Sequence, residues 1–207
     1  MKIKICGLRE YGNVEDLVNL KPDWMGFIFA EKSPRYFYNA IEKADLNRIP
    51  STIKKVGVFV NASLEYVQEQ IVNHHLNTVQ LHGNESPEVC ATIRLQGIEI
   101  FKAFNINDEF KFEKLDAYKD AIDYYLFDAS GKSEGGNGVT FNWNILNDKR
   151  FAKPFLLSGG IAPEHAAQLK KWTHPDCIGI DINSKFEIEP AFKNVALIKT
   201  FFKNLDR

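Results

Sequence analysis

The feature that most constrains this chain is an alternation. Short apolar runs rich in β-branched residues trade places with amphipathic helical runs about every 25 residues. Candidate strands are Ile3–Cys6, Trp24–Phe29, Lys55–Val60, Thr78–His82, Glu99–Phe104, Tyr124–Asp128, Pro154–Ser158 and Cys177–Asn183. Candidate helices fall near Val14–Leu20, Asn39–Leu46, Leu64–His74, Pro87–Leu95, Phe110–Tyr118, Trp143–Leu146, Pro163–Trp172 and Phe192–Asn204. Several carry start signals: Asn61 and Ser63 before Leu64, Ser86-Pro87 with Glu88 behind it, and Ala162-Pro163-Glu164.

About eight βα units fill a chain of 207 residues, the minimum content of a (β/α)8 barrel. The pattern therefore predicts an α/β fold, a single-domain (β/α)8 TIM barrel over residues 1–207. The competitor is an open doubly wound sheet, which also alternates strands and helices. The first strand lacks the glycine-rich phosphate loop and following acidic residue that a dinucleotide site in such a sheet requires.

A barrel builds its active site at the carboxyl ends of its strands. Read in order, those ends carry Cys6, Ser33 to Arg35, Asn61, Gln80 and His82, Asp128, Ser158-Gly159-Gly160, and then Asp181, Asn183 and Ser184. Polar and reactive groups gather at one mouth. Cys6 is the expected centre, strand-terminal beside Gly7 and two residues from Lys4 on the same face. A small buried apolar residue is the plain alternative. Asp128, if partly desolvated, suits a general acid, and it could equally cap a helix. Arg35 follows the rigid Pro34 and could grip a carboxylate with its fork, or simply be a solvated surface arginine. His82 falls on the inward face, where most histidines are satisfied structural groups.

Ser158-Gly159-Gly160-Ile161-Ala162-Pro163 joins a strand to a helix, and its backbone N–H groups suit a phosphate monoester or only a tight turn. The stretch from Asp128 to Gly138 is long and glycine-rich. Gly131-Lys132-Ser133 is not a P-loop end, because Leu126 stands where that motif needs glycine. A loop closing over substrate, bent at Gly135, Gly136 and Gly138, is the expectation, with a loop of no function as the alternative.

A net charge of −1 gives no bias toward nucleic acid or membrane, so a small, neutral molecule is the partner expected from charge alone. No apolar run approaches the roughly 20 residues of a membrane span, and the start of the chain reads as a strand, not a signal peptide. Cys6, Cys90 and Cys177 are far apart and odd in number, which argues against a disulfide framework and fits a reducing cytoplasm. His74, His75, His165 and His174 lie in helices or loops without ligand spacing, so no metal is implied. Trp24, Trp143 and Trp172 are expected in the barrel shell.

Taken together, these segments resemble the phosphoribosylanthranilate isomerase family of tryptophan biosynthesis. The resemblance runs in order through Lys4-Ile5-Cys6-Gly7, Gly26-Phe27-Ile28-Phe29, Ser33-Pro34-Arg35-Tyr36, Val56–Asn61 and Val79-Gln80-Leu81-His82-Gly83. It continues through Phe127-Asp128, Gly135-Gly136-Asn137-Gly138, Leu157–Ile161 and Gly179–Ser184. It implies an isomerase without cofactor that performs an Amadori rearrangement on a phosphorylated sugar carrying anthranilate. Asp128 would be the general acid and Cys6 the general base. Arg35 would receive the anthranilate carboxylate, and the loops with Gly159-Gly160 and Asn183-Ser184 the phosphate. Gln80, His82, Gly136, Gly138, Ser158 and Asp181 complete the candidate substrate-binding set. Two departures stand out: Asn137 where relatives carry threonine, and Pro190-Ala191-Phe192-Lys193-Asn194 where they carry Pro-Gly-x-Lys-Asp. Ala191 and Asn194 are expected at the start of the last helix.

A base role asks for a thiol titrating below its usual ~8.5, which Lys4 or the nearby field of the barrel could supply. Barrels of the indole-glycerol-phosphate synthase or tryptophan synthase alpha type would need a Lys/Glu pair or two carboxylates, and Cys6 argues against them. A catalytically silent phosphosugar-binding barrel is the rival from another class. Monomer and homodimer are both open.

Overall fold

The strands form where the expected apolar alternation finds a parallel partner on each side. The computed structural model describes residues 1–37, 46–128 and 143–207. It contains β1 (Lys2–Ile5), β2 (Trp24–Ile28), β3 (Lys54–Phe59), β4 (Thr78–Leu81), β5 (Glu99–Asn105), β6 (Tyr124–Asp128), β7 (Phe155–Ser158) and β8 (Cys177–Ile182). They close in chain order, with β8 returning to β1. The register Lys4↔Asp181 sets those two residues level, as Asp128↔Ser158 does between β6 and β7. The expected closed barrel is what the chain forms, and the open sheet is not.

Outward-facing Ile3, Ile5, Phe27, Val79, Phe127, Leu157 and Ile180 are fully buried beneath the helices. Burying one such side chain contributes about 1.5–3 kcal/mol. Inside the barrel, Trp24, Val56, Phe101, Leu126 and Leu156 form a second packed layer. Trp24 thus sits in the barrel interior and not in the shell as expected, its Nε1 donating to Glu99 Oε2 at 3.2 Å. Trp143 and Trp172 do pair edge-on outside it.

The covering helices are α1 (Tyr11–Val18), α2 (Leu64–His74), α3 (Pro87–Arg94), α4 (Ala166–Lys171) and α5 (Val195–Asn204). Ser63 and Ser86 cap α2 and α3 as their spacing predicts. The expected helix at Phe110–Tyr118 is instead a 3-10 helix at Phe112–Tyr118, with no side chain capping its start. Trp143–Leu146 is also 3-10. The segment expected as one helix over Pro163–Trp172 is split: a 3-10 turn, Pro163–His165, precedes α4. The helix predicted near Asn39–Leu46 lies, apart from Leu46, outside the described residues, as do Gly136 and Gly138.

The last predicted helix needs a correction at its start. Phe192 and Lys193 form β10 (Phe192–Lys193), which pairs antiparallel with β9 (Glu187–Glu189). The reason is that Asn13 takes both backbone groups of Lys193, accepting from its N–H at 2.8 Å and donating to its carbonyl at 2.9 Å. Asn194 then caps α5, its Oδ1 accepting from Leu197 N–H at 3.0 Å. Ala191, buried at φ 70°, makes the tight hairpin turn in a region that favours glycine. No helix among the described residues is long and apolar enough to cross a membrane.

Candidate active site

The strand ends converge on a cavity of about 270 Å³. Cys6, Gln80, His82, Asp128, Ser158, Gly159, Gly160, Asp181, Asn183 and Ser184 all line it, with Ile28, Val58 and Ile161 as its apolar wall. These are the predicted site residues, except Arg35 and the two glycines outside the described part. Thiol and carboxyl group open on one space.

Cys6 ends β1, its backbone N–H bonded to Ile182 O at 2.9 Å. Its side chain packs against the Lys4 ammonium, which also donates to Asp181 Oδ1 at 3.0 Å. Both ions of that pair are buried. Burial alone would lower the Lys4 pKa, but Asp181 and Cys6 hold it above the ordinary lysine value. For Cys6, burial pushes the thiol up, Lys4 draws it back, and Asp181 adds to the rise. The expected net lowering of the thiol pKa is therefore not found, although Lys4 acts in the expected direction. Burial likewise raises Asp181, against the pull of Lys4.

Space for this pair comes from Gly26 on β2, which stands in a matching segment of the sequence but was not among the expected site residues. A Cβ there would lie 2.9 Å from Cys6 Sγ and 3.2 Å from Lys4 Nζ. A glycine inside a strand is the available signal for such a close approach.

Across the barrel, His82 Nε2 lies 3.3 Å from Asp128 Oδ2, and His82 Nδ1 lies 2.8 Å from Gln80 Nε2. With the Gln80 amide donating to Nδ1, the ring proton sits on Nε2 and faces Asp128. Gln80 is buried and its Oε1 has no hydrogen-bond partner among the described residues.

Gly159 and Gly160 both adopt positive φ, 82° and 66°, which frees their backbone to turn toward the cavity. Ser158 Oγ reaches Asp181 Oδ2 at 3.4 Å. Asn183 Oδ1 accepts from Lys193 Nζ at 2.7 Å. Arg35 is engaged by Glu187 along the side edge of its guanidinium, with Nε to Oε1 at 2.8 Å and NH2 to Oε2 at 2.6 Å. Glu187 and Lys193 are functional candidates that local sequence patterns did not reveal.

A closed parallel barrel that turns a thiol and a carboxyl group onto one cavity is the frame of a (β/α)8-barrel acid–base enzyme. The family model described as N-(5'-phosphoribosyl)anthranilate (PRA) isomerase matches residues 3–204, and the chain belongs to that family. The chain is 43% identical over 206 residues to N-(5'-phosphoribosyl)anthranilate isomerase of Parabacteroides distasonis, covering 99% of this chain and 93% of that one. The solved phosphoribosyl anthranilate isomerase from Thermotoga maritima superposes with a TM-score of 0.85 at 32% identity, covering 100% of this chain and 98% of that one. Another solved isomerase of this kind, in complex with reduced 1-(o-carboxyphenylamino)-1-deoxyribulose 5-phosphate, gives 0.80 at 31% identity with the same coverage.

Proposed function

We propose that this chain is the tryptophan-biosynthesis isomerase that converts N-(5-phosphoribosyl)anthranilate to 1-(2-carboxyphenylamino)-1-deoxyribulose 5-phosphate. The observation that carries the assignment of roles is the shared cavity of Cys6 and Asp128. Asp128 gives a proton to the ring oxygen as the furanose opens to a protonated Schiff base. Cys6 takes the C2' proton to give the enolamine, which tautomerises to the ketose. Proton gain at oxygen and proton loss at carbon balance, so no cofactor enters.

Burial pushes the thiol up, so its activation falls to nearby positive charge. Lys4 supplies one cation, fixed by Asp181. The iminium formed on ring opening supplies a second beside the sulfur. Gly159, Gly160, Asn183 and Ser184 receive the phosphate, and Arg35 the anthranilate carboxylate. Gln80, His82, Ser158 and Asp181 line the sugar, with Gly136 and Gly138 from the adjoining loop. One barrel domain suffices for the reaction. Three free cysteines accord with work in a reducing cytoplasm.

The test follows the loss of the fluorescent anthranilate adduct with purified protein. Cys6→Ser and Asp128→Asn should each cut turnover at least about a hundredfold while the reduced product analogue still binds. Near-native rates in either variant would refute the assigned role. Binding without turnover by the wild type would identify the silent barrel instead.

A further inference from the structure

The Arg35–Glu187 contact has a geometry that a simple surface ion pair lacks. Glu187 takes the side edge of the guanidinium, through Nε and NH2. An arginine carries five N–H donors in a fixed fork, so the end edge, formed by NH1 and the second proton of NH2, faces away from Glu187. Among the described residues nothing hydrogen-bonds NH1.

Glu187 is itself held. Its side chain is 5% exposed. Its Oε1 accepts from Lys193 Nζ at 2.6 Å and from Ala191 N–H at 3.2 Å. Lys193, wholly buried, is tied in turn to Asn183. The Arg35 stem is confined as well. Gly7 adopts φ 73°, and a Cβ there would lie 2.7 Å from Arg35 Cδ and 2.6 Å from Asn183 Oδ1. The guanidinium is thus pinned beside the residue that follows Cys6. Two cations against one carboxylate leave the cluster a single net positive charge, which suits one further monoanion.

We infer that Glu187 is a positioning residue: it clamps Arg35 side-on so that the end fork is preset for the carboxylate of the substrate's aromatic ring. This rests on the reading that Arg35 receives that carboxylate. Glu187 acts through Arg35 and touches no reacting atom. A positioning role and a purely electrostatic one have opposite signs. Neutralising Glu187 raises the local charge and would tighten anion binding if charge alone mattered, whereas loss of the clamp weakens it.

Two probes separate these outcomes: reduced 1-(o-carboxyphenylamino)-1-deoxyribulose 5-phosphate and its phenylamino counterpart without the carboxylate. Their Kd values are measured by titration on the wild type, Glu187→Gln, Arg35→Met and the double variant. Glu187→Gln should weaken the carboxylate-bearing probe at least about tenfold and the other less than about twofold, and add nothing in the Arg35→Met background. Kinetically the loss should appear in KM more than in kcat. Tighter binding of the carboxylate-bearing probe, or equal loss for both probes, overturns the inference. An Arg35→Met variant that still prefers the carboxylate-bearing probe as the wild type does overturns the carboxylate reading, and this inference with it. If Glu187→Gln does not fold, Glu187→Asp keeps the charge but shortens the reach, and the same probe-selective loss is required of it.

Discussion

Replacing Lys4 with methionine tests the heart of the site. At 3.0 Å, and with an effective dielectric of about 20, the Lys4–Asp181 attraction amounts to roughly 5–6 kcal/mol. Desolvation of the two ions costs several kcal/mol each, so the intact pair comes close to balance. Lys4→Met removes the attraction and leaves the Asp181 carboxylate buried without its cation, at a cost of about 3–5 kcal/mol. The carboxyl group can escape that cost by keeping its proton. Its pKa, already raised by burial, rises further without Lys4. The sign follows. A group with a raised folded-state pKa leaves stability intact below its unfolded value and withdraws it as pH climbs through the folded value. The variant should therefore match the wild type near pH 4 and fall progressively behind toward pH 8 in urea unfolding. Removing both charges, in Lys4→Met/Asp181→Asn, should recover a large part of the loss. The thiol supplies a second readout. Lys4 is what draws the Cys6 pKa down, so iodoacetamide labelling of Cys6, followed by peptide mass spectrometry, should shift to higher pH in Lys4→Met. A stability penalty equal at pH 4 and pH 8 would refute the unpaired-carboxylate reasoning, and an unchanged labelling profile would remove Lys4 from the base's environment.

Gly26→Ala should displace Cys6 Sγ, only 2.9 Å from the new methyl, and lower turnover by about ten- to a hundredfold with folding retained; native turnover would refute the crowding. Asn194→Ala should cost about 1 kcal/mol in urea unfolding, through loss of the α5 cap. Burial opposes ionisation of Glu187, yet Arg35 and Lys193 hold its pKa below the ordinary 4.5. The stability it contributes is therefore present above pH 4.5 and lost as pH falls through its lower folded value, a loss that Glu187→Gln should flatten in acid-unfolding profiles.

The eight strands were legible because their signal is local: period-two apolar runs cut by glycine, proline and helix caps. The caps of α2 and α3 were legible for the same reason, a serine three residues before the N–H it accepts from. Helix type was not. Phe112–Tyr118 carries helical spacing but lacks a cap, and Phe192-Lys193 reads as the start of a helix until Asn13, 180 residues away, claims its backbone. Among site residues, the strand-end position of Cys6, Gln80, His82, Asp128 and Asp181 was readable from the barrel rule alone. Their partners were not: Glu187, which clamps the side edge of Arg35, lies 152 residues from it in sequence.

The order of residues by itself determined the barrel and the end of it at which chemistry gathers, since alternation and strand termination are properties of neighbours in the chain. Tertiary structure alone decided the charge state of that chemistry. The proton affinity of the Cys6 thiol depends on how deeply closure buries it and on the Lys4–Asp181 pair that spans 177 residues, and neither that burial nor an ion pair between these neighbouring strands exists until β8 meets β1.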